Sequence, residues 1–183
     1  MKKIFKYLAM AVLGMAFALP AAHSAEAAKL AVIPLIMNSG VEDPQGLKPI
    51  VYSEAVSKIF KYPAYDLADS DVVKKAALAQ QDKLFTKEGL SAVCDAAGAE
   101  IALAMSVDNF TWEEARQTSN SPTTICDFRG KFATYNKITG KFKLDHWYDN
   151  EEFETGALSP RYDWAHNELG RYFRILLRDV AGK

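Results

Sequence analysis

Up to Val107 the apolar positions of this chain come in short unbroken runs and helical stripes; beyond it they alternate with polar residues. Lys29–Ile36 is an apolar run suited to a strand buried on both faces. Pro34 cannot donate to a ladder, so this strand ends early or has a free side there. A loop rich in Asn, Ser, Gly, Asp and Pro follows (Asn38–Gly46), then a helix over about Leu47–Phe60 with Pro49 in its first turn. Tyr65–Ala68 reads as a short second strand. Ser70 or Asp71 can cap a helix over Val72–Gln80, and Thr86 can cap another over Lys87–Ala97. Gly98 stands where a left-handed stop is wanted. Ile101–Val107 is a third strand, with Ile101, Leu103, Met105 and Val107 on one face and Ala102, Ala104 and Ser106 on the other. The small face suits a closely packed helix.

Thr124–Tyr135 and Lys141–Phe153 both alternate, and Asn136 to Gly140 joins them as a Gly-terminated hairpin turn. The last element is a helix over about Pro160–Val180. Leu169, Tyr172 and Phe173 belong to its apolar arc, and Arg171, Arg174 and Arg178 face water. The order is β-α-β-α-α-β, a hairpin, then α. Strands separated by helices pair in parallel through right-handed crossovers, and the hairpin adds antiparallel strands. The expected fold is one α/β sandwich with a mixed sheet over residues 28–183.

The amino terminus has a different character. Lys2, Lys3 and Lys6 precede the uncharged apolar run Tyr7–Leu19, and small residues follow Pro20. That is the layout of a secretory signal peptide over residues 1–27, cleaved after Ser24 or Ala27. The run is too short for a stable membrane span. No cysteine lies near the cut, so no lipid anchor is expected. The mature protein is expected in the periplasm or secreted.

The chain has 22 basic and 23 acidic residues; cleavage after Ser24 removes three lysines and no acid, leaving 19 against 23, a net charge of −4. A mildly acidic domain is a poor partner for nucleic acid. Cys94 and Cys126 both fall in the mature part, and an even count in an exported chain reads as a possible disulfide. Cys94 shares the helix face of Leu90 and Val93, and Cys126 the strand face of Phe128 and Phe132. Both point toward a core, where they could meet. Such a bond would contribute roughly 3–4 kcal/mol in the chain-entropy account. The other reading is a pair of buried thiols.

Local phrases in this order resemble a group of bacterial envelope proteins. They are Lys29-Leu-Ala-Val-Ile-Pro-Leu, Tyr65-Asp-Leu-Ala-Asp-Ser, Gly98-Ala-Glu-Ile-Ala-Leu-Ala-Met-Ser-Val and Tyr135-Asn-Lys-Ile-Thr-Gly-Lys. The group includes the periplasmic domain of the curli secretion channel, the lipoprotein activators of penicillin-binding proteins, and the amino-terminal domain of the Tol-system propeller protein. The resemblance implies a non-catalytic domain that binds envelope proteins or assembles with itself.

Catalytic chemistry is thinly represented. There is no G-x-S-x-G nucleophile turn and no Gly-rich phosphate loop. His146 sits among Asp145, Asp149, Glu151, Glu152 and Glu154, which could hold a hard cation but lack the ligand order of a calcium loop. No catalytic, cofactor or metal residue is assigned. Phe110, Trp112, Trp147 and Tyr148 are nominated as a partner-binding surface, because exposed aromatics favour interfaces. The plainer reading is that they cover the edge of the core. The favoured function is binding of an envelope protein or self-association. The alternative is a small-ligand or glycan site in the loops after the parallel strands, and an unrecognised hydrolase ranks below both.

Overall fold

Pro34 divides the first strand in two. In the computed structural model, β1 spans Ala28–Val32 and β2 spans Ile36–Met37. The structure describes residues 27–38, 41, 59–61, 63–115, 123–154, 167–172 and 174–175, with the side chains of 112, 114, 115, 153 and 154 outside that description. The expected signal peptide, most of the Leu47–Phe60 helix and both ends of the last helix lie outside the described residues.

The remaining elements are β3 (Tyr65–Leu67), α1 (Ser70–Ala79), a 3-10 turn at Gln81–Lys83, α2 (Lys87–Ala97), β4 (Ile101–Ala115), β5 (Thr123–Asn136) and β6 (Lys141–Glu154). Residues 167–172 form a helical segment. The strands make one mixed sheet in the order β3-β1-β4-β5-β6, with β2 also on β4. β1 pairs in parallel with β3 and β4, and β4, β5 and β6 pair antiparallel. This is the α/β architecture the sequence predicts.

Side-chain size decides which layer covers which face. Ala31, Ala102, Ala104 and Ala133 lie beneath α1 and α2, which bury Val73, Ala76, Ala77, Leu90, Val93 and Cys94 against them. Small strand residues let the helices sit close. The opposite face carries the large residues Leu30, Leu103, Met105, Phe128, Phe132 and Trp147, with Leu169 of the helical segment packed on them.

The cap of α1 differs from expectation. Asp69, not Ser70 or Asp71, accepts the amides of Asp71 and Val72 through Oδ1 at 3.0 Å. The helix starts one residue before Asp71, so only Asp69 stands far enough back to reach the free amides. Thr86 caps α2 as expected, its Oγ1 accepting from the Gly89 amide at 3.2 Å. Gly98 closes that helix at φ 58°, in the left-handed region a side chain resists.

β4 runs well past Val107. The ladder with β5 slips between Val107 and Asn109, leaving Asp108 as an extra residue. The bulge reverses the alternation, so Phe110 joins the large-residue face of Leu103 and Met105.

The disulfide expectation is corrected by the sheet itself. Cys94 is buried in the helix-covered layer and Cys126 in the other, and no bond joins them. Each points into a core, but the cores lie on opposite faces. A disulfide needs Cα atoms within about 7 Å, and the sheet stands between these two.

Candidate functional site: a sheet edge and a groove

The nominated aromatics separate once side chains are placed. Trp147 is 3% exposed and Phe110 is 5% exposed, so neither offers a contact surface. They belong to a ladder of rings: Phe110 packs edge-on to Phe128 at 5.3 Å, Phe128 lies 5.7 Å from Trp147, and Trp147 stacks on Tyr172 at 5.4 Å. The core-covering reading applies to both. The reason is the bulge for Phe110, and for Trp147 the helical segment that lies over β6. Trp112 stands opposite Cys126 in the β4–β5 register, and its side chain is outside the described part.

Tyr148 keeps its place on the surface. It is 59% exposed and points to the opposite face from Trp147. Its cross-strand partner is Arg129, whose guanidinium lies 4.7 Å from the ring centroid. Arg129 is itself fixed by two hydrogen bonds donated to Asp127, at 2.8 and 2.6 Å. Leu144, four positions away on the same face, is 43% exposed. Sequence reading passed over Leu144, although its place four positions from Tyr148 was visible in the alternation.

These residues lie on β6, a 14-residue strand at the edge of the sheet. Among the described residues no strand pairs with its outer side. The opposite edge, β3, is only three residues long. Short edges are self-protecting, whereas long ones present a row of backbone donors and acceptors. The amide of His146 donates to Asp145 Oδ1 at 2.9 Å.

The acids around His146 do not converge. Asp145, Asp149 and Glu151 share one face and His146 and Glu152 the other. Asp149 is engaged across the core edge: Tyr172 Oη donates to its Oδ2 at 3.0 Å, and Arg171 donates to both oxygens at 3.3 Å. Arg171 also pairs with Glu168. Burial, then the bond to Asp149 and its charge, pushes the Tyr172 phenol up to about 12. Burial pushes the Cys94 thiol up to about 12 as well, with the charge of Asp95 adding to it. A thiol so held stays protonated and unreactive. Among the described residues no group of three or more His, Cys, Asp or Glu is placed to hold a metal ion. No described helix is long and apolar enough to cross a membrane.

A second feature opens where the parallel strands end. A groove of about 820 Å³ is lined by Ile33, Ile36, Met37, Leu78, Leu84 and Phe85, with Lys74 and Lys131 among its polar groups. The Lys131 ammonium lies 4.6 Å from the Phe85 ring centroid. The end of β2 is tied to the bulge of β4: Asn38 Nδ2 donates to Asp108 Oδ1 at 2.6 Å, and the Ser106 hydroxyl to the same oxygen at 2.9 Å. Asp108 thus fixes one end of the groove.

No family model matches this chain, and no curated protein matches it. Solved structures similar to it include the lipoprotein GNA1162 of Neisseria meningitidis, at 11% identity and TM-score 0.47, with 85% of this chain and 99% of that one covered. They include a PelC dodecamer from Paraburkholderia phytofirmans, at 11% identity and TM-score 0.40, covering 79% of this chain and 85% of that one. The carboxy-terminal domain of LpoB from Salmonella enterica is similar at 13% identity and TM-score 0.34, with 73% and 87% covered.

Proposed function

We propose that this protein is an exported, non-catalytic α/β domain of the cell envelope that acts by binding a protein through the outer edge of β6. The observation that carries this reading is the long edge of β6, on whose outer side no described strand pairs, with Tyr148 and Leu144 exposed on it. Strand addition to such an edge supplies main-chain hydrogen bonds, and exposed side chains beside it supply selectivity. The amino-terminal pattern supports export. The protonated, buried Cys94 offers no nucleophile.

The test is a photo-crosslinking residue placed at Tyr148 of the exported protein, with Lys75 on the exposed side of α1 as control. A discrete protein adduct from Tyr148 and none from Lys75 is the expected result. Equal labelling at both sites, or none at Tyr148, would remove the edge as a binding surface.

The groove favours a second reading, a small apolar ligand held at the carboxyl ends of the parallel strands, where open α/β sheets place ligands. Mass spectrometry of protein purified under native conditions would show a retained small molecule. Leu78→Trp, which crowds the groove from the exposed side of α1, would abolish that retention.

A further inference from the structure

The charges on β6 are segregated along the strand. Lys141 and Lys143 stand near its start, where Lys143 pairs with Asp145 at 3.6 Å, and Asp149, Glu151 and Glu152 stand toward its end. A strand of this polarity is complementary to itself when reversed. We infer that the outer edge of β6 pairs antiparallel with β6 of a second copy, about a two-fold axis at His146. This rests on the reading of β6 as the binding edge and names its occupant.

The register follows from geometry. A two-fold axis perpendicular to the sheet carries each face of one copy into the same face of the other, so opposed residues share a face. With the axis at His146, Lys141 opposes Glu151 of the second copy, and Lys143 opposes its Asp149, so that Lys143 shares its charge between Asp145 of its own strand and an Asp149 that Arg171 and Tyr172 also hold. Leu144, 43% exposed, meets Tyr148, 59% exposed, so the two large exposed apolar side chains among the strand's described ones cover each other. Registers using at least as much of β6 bring acids together. An axis at Trp147 opposes Asp145 to Asp149, one at Tyr148 opposes Asp145 to Glu151, and one at Asp149 opposes Asp149 to itself. Only the His146 register pairs each lysine with an acid and no acid with an acid. Opposite charges directly across a ladder stabilise it, and like charges destabilise it. The His146 amide, satisfied in the single copy by Asp145 Oδ1, would exchange that bond for one to the second copy.

The test uses the full exported, processed protein in sedimentation equilibrium. A reversible dimer is expected. Lys141→Glu and Glu151→Lys are each expected to weaken it about tenfold, since the symmetry counts every changed pair twice. The double variant is expected to restore it. His146→Cys copies would stand directly opposed and close with a short thiol crosslinker. Tyr148→Cys copies would stand about 14 Å apart and would not close. A monomer at every concentration, no rescue in the double variant, or crosslinking at Tyr148 as strong as at His146 would overturn the inference. A protein that stays monomeric yet still crosslinks from Tyr148 to a different envelope protein overturns self-pairing and leaves the partner reading standing. Loss of both overturns both.

Discussion

Trp147 lies against Gly130, its cross-strand partner, with no room between them for a side chain. A Cβ at Gly130 would fall 2.2 Å from Trp147 Cζ2 and 2.1 Å from the Ser106 carbonyl oxygen. The glycine lets the indole lie down on the sheet, and the indole covers backbone that the glycine leaves bare. Gly130 also opposes Val107, the last residue before the bulge. The pair therefore joins the bulge, the large-residue core and the inward turn of Trp147.

Gly130→Ala is expected to destabilise the protein by about 1–3 kcal/mol, because a neighbouring backbone carbonyl cannot move aside cheaply. Trp147→Ala should cost about 3–5 kcal/mol, as a large buried ring leaves a cavity. Urea unfolding of both variants measures these losses. A Trp147→Ala protein of full stability would place the indole outside the core.

The two thiols are expected to be inaccessible in the folded protein. Cys94 and Cys126 should react with a thiol reagent only in denaturant, and gel mobility should not change on reduction. Rapid labelling of the native protein, or a reduction-dependent shift, would contradict the placement of the cysteines in separate layers.

Stability should fall at alkaline pH. The Tyr172 phenol has its pKa raised from 10.0 to about 12 in the fold, so the folded state holds its proton more tightly than the unfolded chain does. That contribution is fully present below pH 10 and is lost as pH rises toward 12. The Cys94 thiol, raised from 9.0 to about 12, acts in the same direction from pH 9 upward. Tyr172→Phe should flatten the upper part of the fall, and urea midpoints at pH 8 and pH 11 for both proteins measure it.

Asp108→Ala should cost about 1–3 kcal/mol, because it strips the acceptor from the fully buried Ser106 hydroxyl and releases Asn38. Asp108→Asn, which keeps an acceptor oxygen at that place, should retain most of the stability. If the groove binds a ligand, Asp108→Ala should weaken its retention more than its stability loss alone explains, since Asn38 lines the groove.

Much of this architecture is written in local patterns. The alternation from Ile101 to Val107 already separates a large face from a small one, and the helices do lie on the small face. Thr86, Gly98 and the turn ending at Gly140 act as their chemistry predicts, because capping and left-handed backbone depend on near neighbours alone. Pro34 signalled the break in the first strand for the same reason.

Alternation could not say what lies above each face, and there the candidate site changed. Whether Trp147 or Tyr148 reaches the surface depends on residues 167–172, which meet β6 only in three dimensions. Phe110 was misread because a bulge at Asp108, invisible in composition, reverses the face of every residue after it. The cysteines were each rightly turned inward, but a sheet has two insides. Local sequence pattern determined the secondary structure, the cap of α2 and the mixture of parallel and antiparallel strands. Only the tertiary structure, by packing distant segments on chosen faces, decided which aromatics are core, where the groove opens and which long strand stands at the edge of the described sheet.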